Sequence, residues 1–200
     1  MMKGGMAMKR VVLIVLGMVL VMTCARAQAQ EKLPLGNTNF TVKLDYIVFT
    51  HRHFDPPEED DGLYLGLEGY KQITQNPNWY LGGEIGSAAN ITVFGGEEIN
   101  FIPVELNGKY AKEIAPNLIA DFGGGLSYSY VELQYRHVFL PHENERDVWL
   151  LGAQFFADLT YTMGRFCVGV NAKYQITEDF KDEDLDLNNW RLGVQIGLTF

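Results

Sequence analysis

The sequence has little of what would staple a secreted chain or carry a chain through a membrane as a helix. Its 200 residues include two cysteines. Cys24 falls in an N-terminal segment that reads as cleaved, which leaves Cys167 alone and excludes an intrachain disulfide even in an oxidising compartment. Beyond the N-terminus there is no run of 18 or more apolar residues, so the mature chain cannot span a bilayer as a helix, and any crossing must be made by a closed barrel. Basic residues are also scarce, 16 Lys and Arg against 25 Asp and Glu, an imbalance that argues against nucleic acid as a partner. EF-hand spacing is absent among the acids.

What is present begins with an export signal. Lys3, Lys9 and Arg10 precede the short apolar run Val11 to Met22, and Ala25-Arg26-Ala27 or Ala27-Gln28-Ala29 supplies a small-x-small cleavage pattern. Thr23 before Cys24 fits a lipoprotein signal poorly. Residues 1–27 are therefore expected to be a cleaved signal peptide, residues 28–38 a polar periplasmic leader and residues 39–200 the folded domain. Cleavage after Ala27 removes four basic residues and no acid, leaving 12 basic against 25 acidic residues and a net charge of −13.

The C-terminal stretch carries the strongest pattern. Trp190, Leu192, Val194, Ile196, Leu198 and Phe200 alternate with Arg191, Gly193, Gln195, Gly197 and Thr199, the period of a β-strand. Eleven residues at about 3.3 Å each, tilted by about 45°, suffice to cross a membrane's apolar layer. The same alternation predicts strands at Asn39–Thr50, Gly62–Lys71, Trp79–Val93, Ile99–Ala111, Leu118–Glu132, Val148–Tyr161 and Arg165–Ile176, making eight in all. The third is expected to hold one phase to Val93, and Pro103 marks an irregularity in the fourth. Asn76-Pro77-Asn78, Ala115-Pro116-Asn117 and Thr162-Met163-Gly164 read as tight turns. His51–Asp61, Leu133–Asp147 and Thr177–Asn188 read as longer loops. Short turns on one side and longer loops on the other are the asymmetry of a transmembrane barrel, and eight strands place both termini in the periplasm. Trp79, Tyr110 and Tyr161 fall at one set of strand ends, and Tyr128, Tyr130, Trp149, Tyr174 and Trp190 near the other, as two aromatic girdles require.

The face opposite the apolar one is rich in glycine and charge, which suits a barrel interior better than the solvated wall of a soluble, ligand-enclosing barrel. Its charges are Lys43, Lys109, Arg165, Lys173 and Arg191 against Asp45, Glu68, Glu84, Glu105, Asp121 and Asp158. Eight strands leave an interior that side chains can just fill, so these charges are expected to form a paired network that plugs the lumen. The pattern, with a terminal aromatic at Phe200, resembles the small eight-stranded bacterial outer-membrane β-barrels, similar to the membrane domain of outer membrane protein A and to outer membrane protein X. The resemblance covers roughly Phe40 to Phe200. It implies an all-β, antiparallel up-and-down transmembrane barrel in the outer membrane. Its surroundings would be outer-membrane lipid and lipopolysaccharide, and Trp190 to Phe200 would be its signal to the barrel-assembly machinery. It also implies a structural or surface-interaction role through extracellular loops, with a narrow porin-like channel or small-molecule transport barrel as the alternative.

Three chemical readings compete with that role and fall short in sequence. His51-Arg52-His53 has a spacing that suits zinc, but Pro56 stands where the His-x-His-x-Asp-type hydrolase motif wants another histidine. Ser127, Ser129, Glu132 and His137 lie near the outer rim where a lipid-editing enzyme would need its nucleophile, yet by phase both serines point into the lumen. Asp55, Glu58, Glu59, Asp60 and Asp61 with Glu178, Asp179, Asp182, Glu183, Asp184 and Asp186 form acidic outer crowns, which suit weak binding of Ca²⁺ or Mg²⁺ at lipopolysaccharide phosphates. The sequence thus predicts no catalytic residues, no resident metal and no cofactor.

Overall fold

The computed structural model describes residues 33–50, 61–73, 76–93, 97–135, 144–178 and 187–200. Period-two alternation becomes eight strands: β1 (Thr38–Phe49), β2 (Asp61–Gln72), β3 (Trp79–Val93), β4 (Glu97–Ala115), β5 (Leu118–Tyr135), β6 (Asn144–Met163), β7 (Phe166–Thr177) and β8 (Asn189–Thr199). Each pairs antiparallel with the next. The ring closes where β1 meets β8, from Asn39↔Thr199 to Phe49↔Asn189. The fold is an eight-stranded up-and-down barrel, as the sequence predicts.

The alternation sorts the two faces. Leu63, Leu65 and Leu67 of β2 are 56–64% exposed on the outer wall, whereas Tyr64 and Gly66 between them, and Glu68 after them, are buried. Trp190, Leu192, Val194, Ile196 and Leu198 of β8, and Phe200 just after it, are all exposed on the outer wall. Outward aromatics gather at both strand ends. Trp79 meets Tyr110 with ring centroids 5.3 Å apart, and Tyr110 meets Phe122 at 5.6 Å. At the other end Trp149 stacks on Tyr128 at 4.7 Å and Tyr174 packs on Trp190 at 4.4 Å.

Local chemistry explains where strands stop and where the sequence reading departs from the structure. The β6–β7 turn is Gly164-Arg165, since Met163 already pairs with Phe166. Gly164 takes φ 67°, the left-handed value a two-residue hairpin needs at its first central position. The turn therefore lies one residue later than the expected Thr162-Met163-Gly164. Pro116-Asn117 makes the β4–β5 turn, with Asn117 at φ 62° and its N–H donating to the Glu113 carboxylate at 2.8 Å. The β3–β4 pairing skips Pro103, which has no N–H to give, and passes from Ile85↔Val104 to Ala88↔Phe101. It then slips by one residue between Ala88 and Ile91, so the single phase expected of β3 to Val93 is broken there by a bulge. Leu133–Asp147 is not all loop: β5 and β6 stay paired out to Tyr135↔Asn144. The end of the expected Thr177–Asn188 loop is likewise folded in, with Asn188 accepting from Thr50 N–H at 2.7 Å and capping Thr177 N–H at 2.8 Å.

Candidate functional site: the barrel interior

The interior is layered. At the loop end Ile47, Phe49, Tyr64, Ala88, Phe101, Val131, Leu150 and Leu187 form an apolar cluster, and at the turn end Leu35, Tyr70, Tyr80, Ala111, Ile119 and Phe156 form another. Most of the charges lie between these two stoppers, with Lys109 opposite Tyr80 and Asp121 opposite Ala111 at the turn-end cluster. The sequence reading had the inward charges but not these lids, although Ile47, Phe49 and Phe101 share the inward phase.

Leu35 was expected in a polar leader outside the barrel. It is instead 1% exposed and is the part of that leader that enters the turn-end cluster. Its N–H donates to the Tyr80 hydroxyl at 3.2 Å, and that hydroxyl donates to the Gly36 carbonyl at 3.0 Å. Gly36, at φ 71°, runs so close to Phe200 that a Cβ would sit 2.6 Å from its oxygen. The N–H groups of Asn37 and Thr38 then both donate to that oxygen, at 2.6 and 3.1 Å. The leader thus clasps the end of β8.

Ten of the eleven charged residues expected inside are there. Lys43, Asp45, Glu68, Glu84, Glu105, Lys109, Asp121, Asp158, Lys173 and Arg191 are each at most 4% exposed. The exception is Arg165. It occupies the second position of the Gly164-Arg165 turn and is exposed, because the hairpin reverses before the alternation could carry it inward. Among the described residues the interior therefore holds four cations against six carboxylates.

Register explains the network's geometry. Glu68, Glu84 and Glu105 stand directly opposite one another across β2, β3 and β4, an arrangement that repels unless cations enter. Cations from β7 and β8 on the far wall, and from β1 beside β2, do so. Lys173 reaches Glu84 at 2.7 Å and Glu105 at 2.5 Å, Arg191 reaches Glu105 at 2.6 Å and Glu84 at 3.4 Å, and Lys43 reaches Glu68 at 2.6 Å and Glu84 at 3.5 Å. Neutral groups extend the net. Tyr64 donates to Glu84 at 2.6 Å and lies under the Arg191 guanidinium at 4.5 Å. Gln175 accepts from Arg191 at 2.7 Å. Gly193 leaves room for Asp45, whose carboxylate a Cβ there would strike, and Asn171 donates to Asp45 at 3.0 Å. Asn107 donates to Glu105 at 3.1 Å and accepts from Gln154 at 2.6 Å; alternation places these amides on the inward face, but a lone amide there gives no sign of its partner.

A second set of acids is less well met. Asp121 and Asp158 also face each other, across β5 and β6. Their nearest cations are Lys109, 3.7 Å from Asp121, and Lys43, 3.6 Å from Asp158.

The competing chemical candidates fare as follows. Ser127 and Ser129 are buried inside, and their hydroxyls accept from the Gln175 amide at 2.9 and 3.2 Å. Glu132 takes the Asn100 amide at 3.4 Å. His137, His51 and His53 lie outside the described residues, as do most of the acidic crowns. Among the described residues no group of three or more His, Cys, Asp or Glu is placed to hold a metal. On the outer wall the small residues Ala120, Ala157 and Ala172 leave a recess of about 600 Å³ between Phe122, Leu159, Val170 and Leu192.

No protein-family model matches the chain and no curated protein matches it in sequence. Solved structures do match in fold. Neisserial surface protein A superposes with a TM-score of 0.60 at 8% identity, covering 82% of this chain and 98% of that one. Ail, the attachment invasion locus protein of Yersinia pestis, in complex with the heparin analogue sucrose octasulfate, gives 0.52 at 11% identity over 82% and 97%. The outer membrane protein OprG from Pseudomonas aeruginosa gives 0.51 at 12% identity over 84% and 99%. The chain has the fold of the small eight-stranded outer-membrane barrels.

Proposed function

We propose that the chain is a bacterial outer-membrane protein whose barrel is a sealed anchor, with a structural or surface-interaction role carried by its extracellular loops. The observation that carries this reading is the interior: a paired charge layer stoppered by an apolar cluster at each end. Free solute passage needs an unfilled lumen, which appears only in wider barrels. The outward apolar band and its aromatic ends support a lipid setting. In that setting the turn end, with the leader and Phe200, faces the periplasm, and the wider connections face out toward lipopolysaccharide. The aromatic-ended stripe Trp190 to Phe200 serves as the address read by the barrel-assembly machinery.

The loop chemistry narrows the partner. Ail is known in complex with a polyanion, whereas the loops of this chain at 51–61 and 177–188 are rich in Asp and Glu. They suit cationic ligands, divalent cations among them, rather than sulfated glycans.

The test is single-channel recording of the refolded chain from Gln28 to Phe200 in a planar bilayer. Silence is expected. Reproducible openings that change when Arg191 or Lys43 is neutralised would overturn the sealed-anchor reading in favour of a conduit. Exchange of the acidic loops should abolish surface binding and leave folding intact.

A further inference from the structure

The interior's charges do not balance, and the imbalance has an address. Three of the six carboxylates, Glu68, Glu84 and Glu105, take every cation contact shorter than 3.6 Å among the described residues. Asp45 takes the Asn171 amide. That leaves Asp121 and Asp158, which face each other at one register position, 2% and 4% exposed, with none of their four oxygens hydrogen-bonded to another protein group. Two carboxylates side by side in a dry interior do not both stay ionised without donors, because each raises the electrostatic cost of the other's charge.

The groups facing them are fixed by the barrel. They are Lys43 of β1, Glu68 and Tyr70 of β2, Tyr80 of β3, Lys109 of β4, and Cys167 and Lys173 of β7. At the same register β7 and β8 present Asn171 and Gly193, which carry no charge. The cations in that set are shared: Lys43 is bound at 2.6 Å to Glu68, Lys173 to Glu84 and Glu105, and Lys109 stands 3.5 Å from Glu68 and over the Tyr70 ring at 4.0 Å.

We propose that Asp121 and Asp158 are a proton-binding site, holding one proton between them at neutral pH as an O–H···O hydrogen bond across the β5–β6 pair. The proton comes from solvent as the barrel folds and returns to it on unfolding. It supplies the donor that the four oxygens lack and reduces the interior's excess of two negative charges to one. A divalent ion is the weaker occupant, because two aspartates give too few ligands and two ammonium groups stand within 4 Å of them.

Infrared spectroscopy of the refolded protein in lipid vesicles tests this directly. The wild-type protein at pH 7 should show a protonated-carboxyl C=O band that disappears as pH is raised and is absent from the Asp121→Asn/Asp158→Asn double variant. Urea unfolding gives a second reading. The folded barrel holds a proton that the unfolded chain releases, so its folding equilibrium should weaken by about tenfold per pH unit across the range above neutrality where the band persists. Asp121→Asn, whose amide keeps a neutral, hydrogen-bonding group in place, should flatten that slope and match or exceed wild-type stability at its upper end. A protonated-carboxyl band missing from the wild type at pH 7, a band unchanged in the double variant, or a stoichiometric divalent metal retained through dialysis against chelator would each overturn the assignment. Should the variants fail to fold, the wild-type infrared titration decides alone.

Discussion

Arg191→Met is the sharpest perturbation of the interior. The guanidinium is fully buried, donates to Glu105 at 2.6 Å, Gln175 at 2.7 Å and Glu84 at 3.4 Å, and lies over the Tyr64 ring. Methionine keeps much of the volume but leaves Glu105 with Lys173 alone, and Glu84 with Lys173 and, at 3.5 Å, Lys43. Removing one partner of a buried ion pair costs about 3–5 kcal/mol, mostly because the remaining charge is stranded. Lys173 still bridges Glu84 and Glu105, which sets the expectation at the lower end, about 3 kcal/mol. With a urea slope of about 1–3 kcal/mol per molar, the unfolding midpoint in lipid vesicles should fall by about 1 M or more. Adding Glu105→Gln to Arg191→Met should recover part of that loss, with a coupling energy of at least about 1 kcal/mol. Arg165→Met serves as the control, because an exposed turn residue should move stability by no more than about 0.5 kcal/mol. An Arg191→Met barrel as stable as its Arg165→Met counterpart would refute the claim that the network is a dry, mutually dependent one.

Other expectations follow from the lids, the wall and a turn. Leu35→Ala should destabilise by about 2 kcal/mol or more, as a buried leucine in an apolar cluster does, and should raise amide exchange at Tyr80 and Thr38. Leu65→Arg, in the middle of the exposed face of β2, should cost about 2–4 kcal/mol in a bilayer; a negligible cost there would remove the outer wall from the membrane. Asn117→Ala should cost about 1 kcal/mol and Asn117→Gly nothing, since only the former puts an unfavourable side chain at positive φ; equilibrium unfolding of the pair separates them.

The barrel was readable in the sequence because each strand states its own two faces: Lys43 and Asp45 alternate with Val42, Leu44 and Tyr46, and nothing outside the strand is needed to see it. Arg165 shows the limit of that reading. Alternation runs on through a hairpin without marking where the chain reverses, and only the left-handed φ of Gly164 moves Arg165 out of the strand. The bulge between Ala88 and Ile91 is invisible for a related reason, since a slip belongs to a pair of strands and the pattern to one. The partners within the network were likewise not legible. That Lys173 answers Glu84 and Glu105 depends on which walls face each other, a property of closure rather than of any segment. Leu35 is not legible because Leu33 and Leu35 on either side of Pro34, in an otherwise polar leader, are too short a run to carry a period.

The row of Glu68, Glu84 and Glu105 also bears on how such a chain assembles. These acids sit on three consecutive strands that zip together locally, yet the cations that bind them at 2.5–2.7 Å come from β1, β7 and β8. A sheet of β2 to β4 alone would align three like charges with only Lys109 of β4, 3.5 Å from Glu68, to offset them. Glu84 and Glu105 are therefore penalised in a partly formed curl until the far wall brings Lys173 of β7 and Arg191 of β8 to them, whereas Lys43 already stands on β1, the hairpin partner of β2. The charge layer thereby favours the closed barrel over open sheets, whose exposed edges would otherwise invite pairing with another chain.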